Sequence, residues 1–303
     1  MDNSSNSIWL KANNYDDWEL SRPELFRKEK RDLFFDYFRM SKSDCVLDGG
    51  CATGVLTRFI AGGLTEGNIT GFDISSDFVE YGNNRIVEEG LNDKAKIVQE
   101  DGFALSFEDN KFDTIISHNY LGVLSDPEAG LRELIRVCKY GGNISISAST
   151  RNQQTWKGDY PIEGIEKLDE LIKRHEEAYR KSIVPTFKQS TYWNLNRYPK
   201  LFAECGLKNI TINPVASGFA YNDKYWDKDF IYRKIMVEIG REIELYEEQM
   251  DNADFYKNGF SKEDFESLIE LLRRKQDYLL NNIDVDQSWE WTAGLHFIIT
   301  GTK

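Results

Sequence analysis

The sequence predicts an α/β fold: a mostly parallel sheet with helices on both faces, interrupted by two largely helical insertions. Three observations lead there. Short apolar runs alternate with amphipathic segments over residues 45–149. A glycine-rich turn at 49–54 carries the chain from the first apolar run into a helix. The alternation breaks at about 150–196 and again at about 216–292, and resumes after each break.

The first clear element is a helix over about 23–40, with Leu33, Phe34, Tyr37 and Phe38 at helical spacing among charges. Cys45-Val46-Leu47 then reads as a strand ending in Asp48, followed by the turn and a helix bearing Val55, Leu56, Phe59 and Ile60. Asn68–Asp73 is a strand, and Ser75-Ser76 opens a helix to about Glu89. Ala95–Gln99 and Phe112–Ser117 are the next strands. Asp126 caps a helix with Pro127 in its first turn, and Gly141-Gly142 is expected to end it. Ile144–Ser149 is a fifth strand; a helix at 198–206, a strand at 208–215 and a closing strand at 295–300 complete the core.

The first insertion carries a helix near 163–182 with a stripe of Ile165, Leu168, Ile172, His175 and Tyr179. The second has two helical patterns, Ile235-Ile239-Ile243-Tyr246-Met250 and Phe265-Leu268-Ile269-Leu272-Leu279. Neither is expected to have a domain-sized core of its own, so both read as caps on the ligand edge of the sheet. They are rich in aromatics: Trp156, Tyr160, Tyr192, Trp193, Phe219, Tyr221, Tyr225, Trp226, Phe230, Trp289 and Trp291.

Composition narrows the function. The 303 residues are 40% hydrophobic and 29% charged, with a net charge of −13. That balance suits a soluble enzyme and disfavours a surface that grips nucleic acid, which needs clustered Lys and Arg. Cys45, Cys51, Cys138 and Cys205 form no C-x-x-C pair, and three lie in apolar runs, as buried free thiols do. Three histidines and no carboxylate cluster at ligand spacing argue against a metal site. With no signal pattern and no apolar run of spanning length, the expected location is the cytoplasm, with no membrane partner.

The turn carries the strongest chemical signal. A pyrophosphate-binding G-x-G-x-x-G would place its second glycine on Cys51 or Ala52, so that fingerprint fails. Val46-Leu47-Asp48-Gly49-Gly50-Cys51-Ala52-Thr53-Gly54 instead resembles motif I of the class I S-adenosylmethionine-dependent methyltransferases, with Ala52 in place of the middle glycine. Gly71-Phe72-Asp73-Ile74-Ser75 follows at a second strand end, and Gln99-Glu100-Asp101-Gly102-Phe103 resembles the family's adenine loop. The likeness covers about 25–149, 198–215 and 294–302. It implies a Rossmann-like, seven-stranded, mostly parallel sheet, with S-adenosyl-L-methionine as cofactor and S-adenosyl-L-homocysteine as product. The chain then divides into an N-terminal helix region and cofactor-binding core (1–149), a helical lid (150–196), a core continuation (197–215), a substrate cap (216–292) and a closing strand (293–303).

The same resemblance assigns cofactor contacts to Asp48, Gly49, Gly50, Cys51, Ala52 and Gly54 in the turn. Asp73 accepts from the ribose hydroxyls, Ile74 packs on the adenine, and Asp101 accepts from its amino group. Gly102 or Phe103 offers a backbone amide, Ser117 and His118 end the fourth strand, and Tyr15 folds over the methionine end. Arg22 is a candidate partner for the cofactor carboxylate, or a surface arginine. His118 is a candidate base, since its ordinary pKa lies near neutrality; a purely orienting role is the alternative. His175 is a weaker catalytic candidate whose plainer reading is a satisfied, half-buried histidine, and His296 reads as structural.

The expected reaction is methyl transfer to an oxygen or nitrogen of a small molecule held under the caps. The aromatic insertions suit an apolar or cationic acceptor. The second insertion holds 18 acidic and 10 basic residues, a balance that attracts an amine or simply solvates helix faces. A peptide methyltransferase and a non-catalytic cofactor-binding protein are the alternatives.

Overall fold

A computed structural model of the chain describes residues 15–149, 154–183, 197–283 and 289–303. The aromatics Tyr192 and Trp193 lie outside the described residues. The elements are α1 (Tyr15–Ser21), α2 (Arg31–Phe38), β1 (Cys45–Gly49), α3 (Val55–Ala61), β2 (Asn68–Asp73), α4 (Ser76–Glu88), β3 (Ala95–Gln99) and β4 (Phe112–His118). There follow α5 (Pro127–Val137), β5 (Cys138–Ser149), β6 (Gln154–Trp156), α6 (Leu168–Ile183), α7 (Arg197–Glu204) and β7 (Lys208–Ala220). The chain ends with α8 (Lys228–Gln249), α9 (Ala253–Lys257), α10 (Lys262–Asn281) and β8 (Trp291–Thr302).

The sheet runs β3-β2-β1-β4-β5-β8-β6, with β7 also paired to β8. Strands β1 to β5 pair in parallel and β8 runs antiparallel to β5. Among the described residues it therefore has eight strands where the sequence predicts seven. The extra one, β6, is three residues long and has no alternation to read. The order reverses beside β1, and ligands of open α/β sheets bind outside the carboxyl ends of the strands at such a point.

Successive strand residues point to opposite faces, and here both faces are buried. Val46 joins Phe34, Phe59, Ile60, Ile69, Ile97 and Ile116 in one cluster. Its neighbour Leu47 joins Phe72, Ile115, Leu131, Leu134 and Phe202 in another. This is why the strands read as continuous apolar runs.

Asp126 caps α5 as predicted, its Oδ1 accepting from the Ala129 amide at 3.0 Å. The helix stops at Val137, however, and Gly141-Gly142 belongs to β5. Gly141 has φ +78°, close to where the β4–β5 register shifts. The predicted helix over 23–40 is likewise shorter: α2 starts at Arg31, after a 3-10 turn at Lys28–Lys30.

Two compact units emerge. One comprises 1–154, 191–218 and 293–303; the other comprises 155–190 and 219–292. Against expectation, the insertions share a core of their own. Leu168, Leu171 and Ala178 of α6 pack with Ile235, Ile239 and Ile243 of α8 and with Phe265, Leu268 and Leu272 of α10. Each stripe is visible in sequence, but nothing local says that two segments separated by a core helix and strand share one interior. Tyr160 and Phe219 are buried there, whereas Trp156 and Trp291 stack at 3.6 Å on its surface.

Candidate functional site

The turn after β1 is held from within the protein. Gly50 has φ +63°, Ala52 +48° and Gly54 +80°. Ala52, which stands where the motif has its middle glycine, thus takes the left-handed conformation, at a cost of roughly 1–2 kcal/mol. The Cys51 amide donates to Phe72 O (2.9 Å), the Ala52 amide to Asp73 Oδ2 (2.9 Å) and the Gly54 amide to Cys51 O (2.9 Å). Three amides that a pyrophosphate site would aim at its ligand are therefore already committed.

Asp48, buried in β1, accepts from Thr57 Oγ1 at 2.7 Å. Burial pushes its carboxyl up to about 7, with the nearby Asp73 charge adding to the rise. Asp73 ends β2, its Oδ1 accepting from the Ser75 amide at 3.0 Å. Burial raises its pKa too, against the hydrogen bonds from Ser75 and Ala52. Next to it Ile74 is 54% exposed, and Phe103 is 41% exposed on the loop after β3. These apolar surfaces are free to take a flat ring. Asp101 Oδ1 accepts from the Phe103 amide at 2.9 Å, so Gly102 is the amide left to offer.

A cavity opens over the turn, lined by Trp18, Arg22, Phe26, Asp48, Gly50–Thr53, Val55, Leu56 and His118. Tyr15 is not among its walls: it stacks on Tyr81 at 4.4 Å between centroids, with Phe78 at its edge. Trp18 and Arg22, further along, take the wall instead, the guanidinium 4.8 Å from the Trp18 ring centre. Arg58, not among the residues that the motifs single out, supports this wall. It is 6% exposed, and its Nη2 donates to Glu19 (2.6 Å), Nε to Glu89 (2.9 Å) and Nη1 to Thr53 O (2.7 Å). An arginine inside the apolar face of V-L-T-R-F-I-A was the available signal.

His118 ends β4 on the cavity. Its Nδ1 lies 3.1 Å from Ser147 Oγ and its Nε2 lies 3.1 Å from Asn119 Nδ2. An amide nitrogen only donates, so this orientation of Asn119 makes Nε2 the acceptor and places the ring proton on Nδ1. Desolvation, then the charges of Arg22 and His296, hold its pKa well below the ordinary histidine value. His296, read as structural, stands 6.2 Å from it between ring centres and shares a hydrogen bond with Ser217 Oγ at 2.9 Å. Its pKa is lowered to about 4, chiefly by burial.

His175 belongs to the other unit. It is enclosed by Tyr246, Phe255, Phe260 and Phe265, with Nε2 2.6 Å from Gln249 Oε1. This is the environment of a satisfied core histidine.

Around the β1 turn, Thr53 Oγ1, Ser117 Oγ and Tyr120 Oη are buried without a hydrogen-bond partner among the described residues. Such atoms are rare in folded proteins, and three beside one turn mark a place where a polar ligand belongs. S-adenosylmethionine is compatible with the groups found here: a carboxylate at the end of β2 in Asp73, exposed apolar surface on Ile74 and Phe103, and Arg22 in the cavity wall.

Comparison with known proteins agrees. Residues 46–142 match the model of a methyltransferase domain. The ubiquinone/menaquinone biosynthesis C-methyltransferase UbiE of Xylella fastidiosa (strain M12) is 28% identical over 192 residues, covering 60% of this chain and 76% of the relative. A phosphatidylethanolamine N-methyltransferase of Cereibacter sphaeroides is 30% identical over 137 residues, covering 40% of this chain and 66% of its own. An N-methyltransferase of Haemonchus contortus, crystallised with phosphomonomethylethanolamine and S-adenosylhomocysteine, shares the fold at a TM-score of 0.50 and 15% identity, over 97% of this chain and 58% of its own. Residues 46–142 are thus similar to a methyltransferase domain, and the motif series and strand order resemble those of the class I S-adenosylmethionine-dependent methyltransferases.

Proposed function

We propose that this enzyme methylates an oxygen or nitrogen of a small molecule, with the cofactor held by the residues of the β1, β2 and β3 ends. The observation that carries the reading is the cavity joining the motif turn to His118. S-adenosylmethionine supplies an electrophilic methyl on a sulfonium. Asp73 accepts from the ribose, Ile74 and Phe103 clamp the adenine, and Asp101 and Gly102 pair with its edge. Gly49, Gly50, Cys51, Ala52 and Gly54 shape the floor, and Arg22 meets the carboxylate. Ser117 offers its unpaired hydroxyl.

His118 is neutral at working pH, and both ring nitrogens have partners. It serves to hold and orient; as a proton acceptor it is weak. The acceptor therefore brings its own lone pair, as an unprotonated amine or an ionised hydroxyl does, and positioning supplies the rate. A carbon acceptor is the second reading, favoured by the C-methyltransferase among the relatives.

The test is calorimetric titration of S-adenosylhomocysteine into the wild type and Asp73→Ala, with NAD as control. Asp73→Asn accompanies them, since Asp73 also anchors the Ala52 and Ser75 amides. Losing the ribose hydrogen bonds costs about 1.5–3 kcal/mol, roughly a 10–150-fold weaker Kd, and NAD gives no signal. A folded wild type that ignores S-adenosylhomocysteine refutes the site assignment. Labelled-methyl transfer to amine, phenol, hydroquinone and peptide panels then sorts the acceptor; transfer confined to peptides or to carbon overturns the small-molecule oxygen or nitrogen reading.

A further inference from the structure

Tyr120 stands at the junction of the two loops that flank the candidate cofactor cleft. Asn119 has φ +57°, and its amide donates to Ser147 O at 2.9 Å, so the chain turns sharply at the end of β4. The turn delivers the Tyr120 ring against Gly50 and its hydroxyl against Gly102. A Cβ on Gly50 would fall 2.1 Å from Tyr120 Cδ2, and one on Gly102 would fall 1.6 Å from the hydroxyl oxygen. Two glycines on different loops thus make room for one phenol. Phe72 steadies the ring edge-on at 5.7 Å.

The hydroxyl end is the anomaly. Tyr120 is 8% exposed, and Oη has no hydrogen-bond partner among the described residues. A phenylalanine would fill the same ring space without burying an unpaired polar atom, so packing alone explains the ring and leaves the hydroxyl unexplained. Burial and the nearby charges of Asp73, Asp101 and Glu133 raise the phenol's pKa, which keeps it protonated and makes it a donor. Asp73 and Asp101 are the two acids assigned to the ribose and the adenine, so the donor sits with the groups expected to meet the adenosyl half.

We propose that Tyr120 is a further cofactor-binding residue, whose hydroxyl donates to an oxygen or nitrogen of the adenosyl half of S-adenosylmethionine. The inference rests on the cofactor-site assignment above. No bond is made or broken at Tyr120; its part is recognition.

The test uses the full chain, wild type and Tyr120→Phe, titrated calorimetrically with S-adenosylhomocysteine and with 5′-methylthioadenosine. Urea unfolding of both proteins without ligand accompanies it. Loss of one hydrogen bond weakens both ligands by roughly 5–15-fold. The ligand-free midpoint of Tyr120→Phe is unchanged or higher, because an unpaired buried hydroxyl has gone. Affinity that is unchanged or tighter in the variant overturns the proposal, as does a loss seen with S-adenosylhomocysteine but not with 5′-methylthioadenosine. A lowered ligand-free midpoint without loss of affinity assigns the hydroxyl a structural role and overturns it too. If the folded wild type binds neither ligand, the cofactor-site assignment falls, and this inference falls with it.

Discussion

Replacing Gly50 by alanine puts a methyl group inside the van der Waals envelope of the Tyr120 ring. The added Cβ would lie 2.1, 2.7 and 2.9 Å from three ring carbons, all below any real carbon contact. The ring has little room to retreat, since Phe72 flanks it and its hydroxyl already abuts Gly102. Overpacking of this kind costs about 1–3 kcal/mol. The backbone adds a second cost: φ at Gly50 is +63°, where an L side chain pays roughly 1–2 kcal/mol. The sum is about 2–5 kcal/mol. A double-mutant cycle separates the two parts. In a Tyr120→Leu background the ring is gone, so Gly50→Ala should cost only the backbone share, leaving a coupling of about 1–3 kcal/mol. Urea unfolding of the four proteins reads this from the midpoints, provided the slopes agree. An equal cost in both backgrounds would show that the ring does not press on Gly50, and the account of the turn would fail.

Asp48 makes stability depend on pH. In the folded chain its carboxyl titrates at about 7, and unfolded near 4. The folded state therefore keeps a proton that the unfolded state has released, so this contribution is fully present below pH 4 and lost as the pH rises through 7. The span is of order 4 kcal/mol. Asp48→Asn should flatten the decline between pH 4 and 7 in urea midpoints, and a wild-type slope retained in the variant would sink the assignment. Arg58→Met should cost about 3–5 kcal/mol, because it leaves the Glu19 carboxylate, 11% exposed at its side chain, without its cation. It should also weaken S-adenosylhomocysteine binding, since Glu19 and Thr53 then lose the side chain that ties α1 to the turn. A shift below 1 kcal/mol in the same unfolding assay would show the triad to be incidental.

Much of this was legible along the chain. The β-α alternation, the Asp126-Pro127 helix start and the motif series are local signals, because each depends on residues a few positions apart. Ala52 showed in sequence as a departure from its motif; only the backbone revealed that it takes a left-handed conformation. The turn amides looked available for a ligand, and the fold commits three of them to Phe72, Asp73 and Cys51. The sequence points to Tyr15 and Arg22 and passes over Trp18, whereas Trp18 and Arg22 line the cavity, because which of the three reaches it depends on where α1 docks.

The sequence by itself determined the fold class, the cofactor family and the acids at the ends of β2 and β3. These are written in periodicity and short motifs, whose physics acts over a turn or a strand. The tertiary structure alone decided that two separated insertions build one core. It also placed His118 beside His296 and Ser147 as a weakly basic imidazole, and fitted Tyr120 between Gly50 and Gly102 with its hydroxyl unpaired. Those outcomes depend on desolvation and on contacts between residues remote along the chain, which no local pattern encodes.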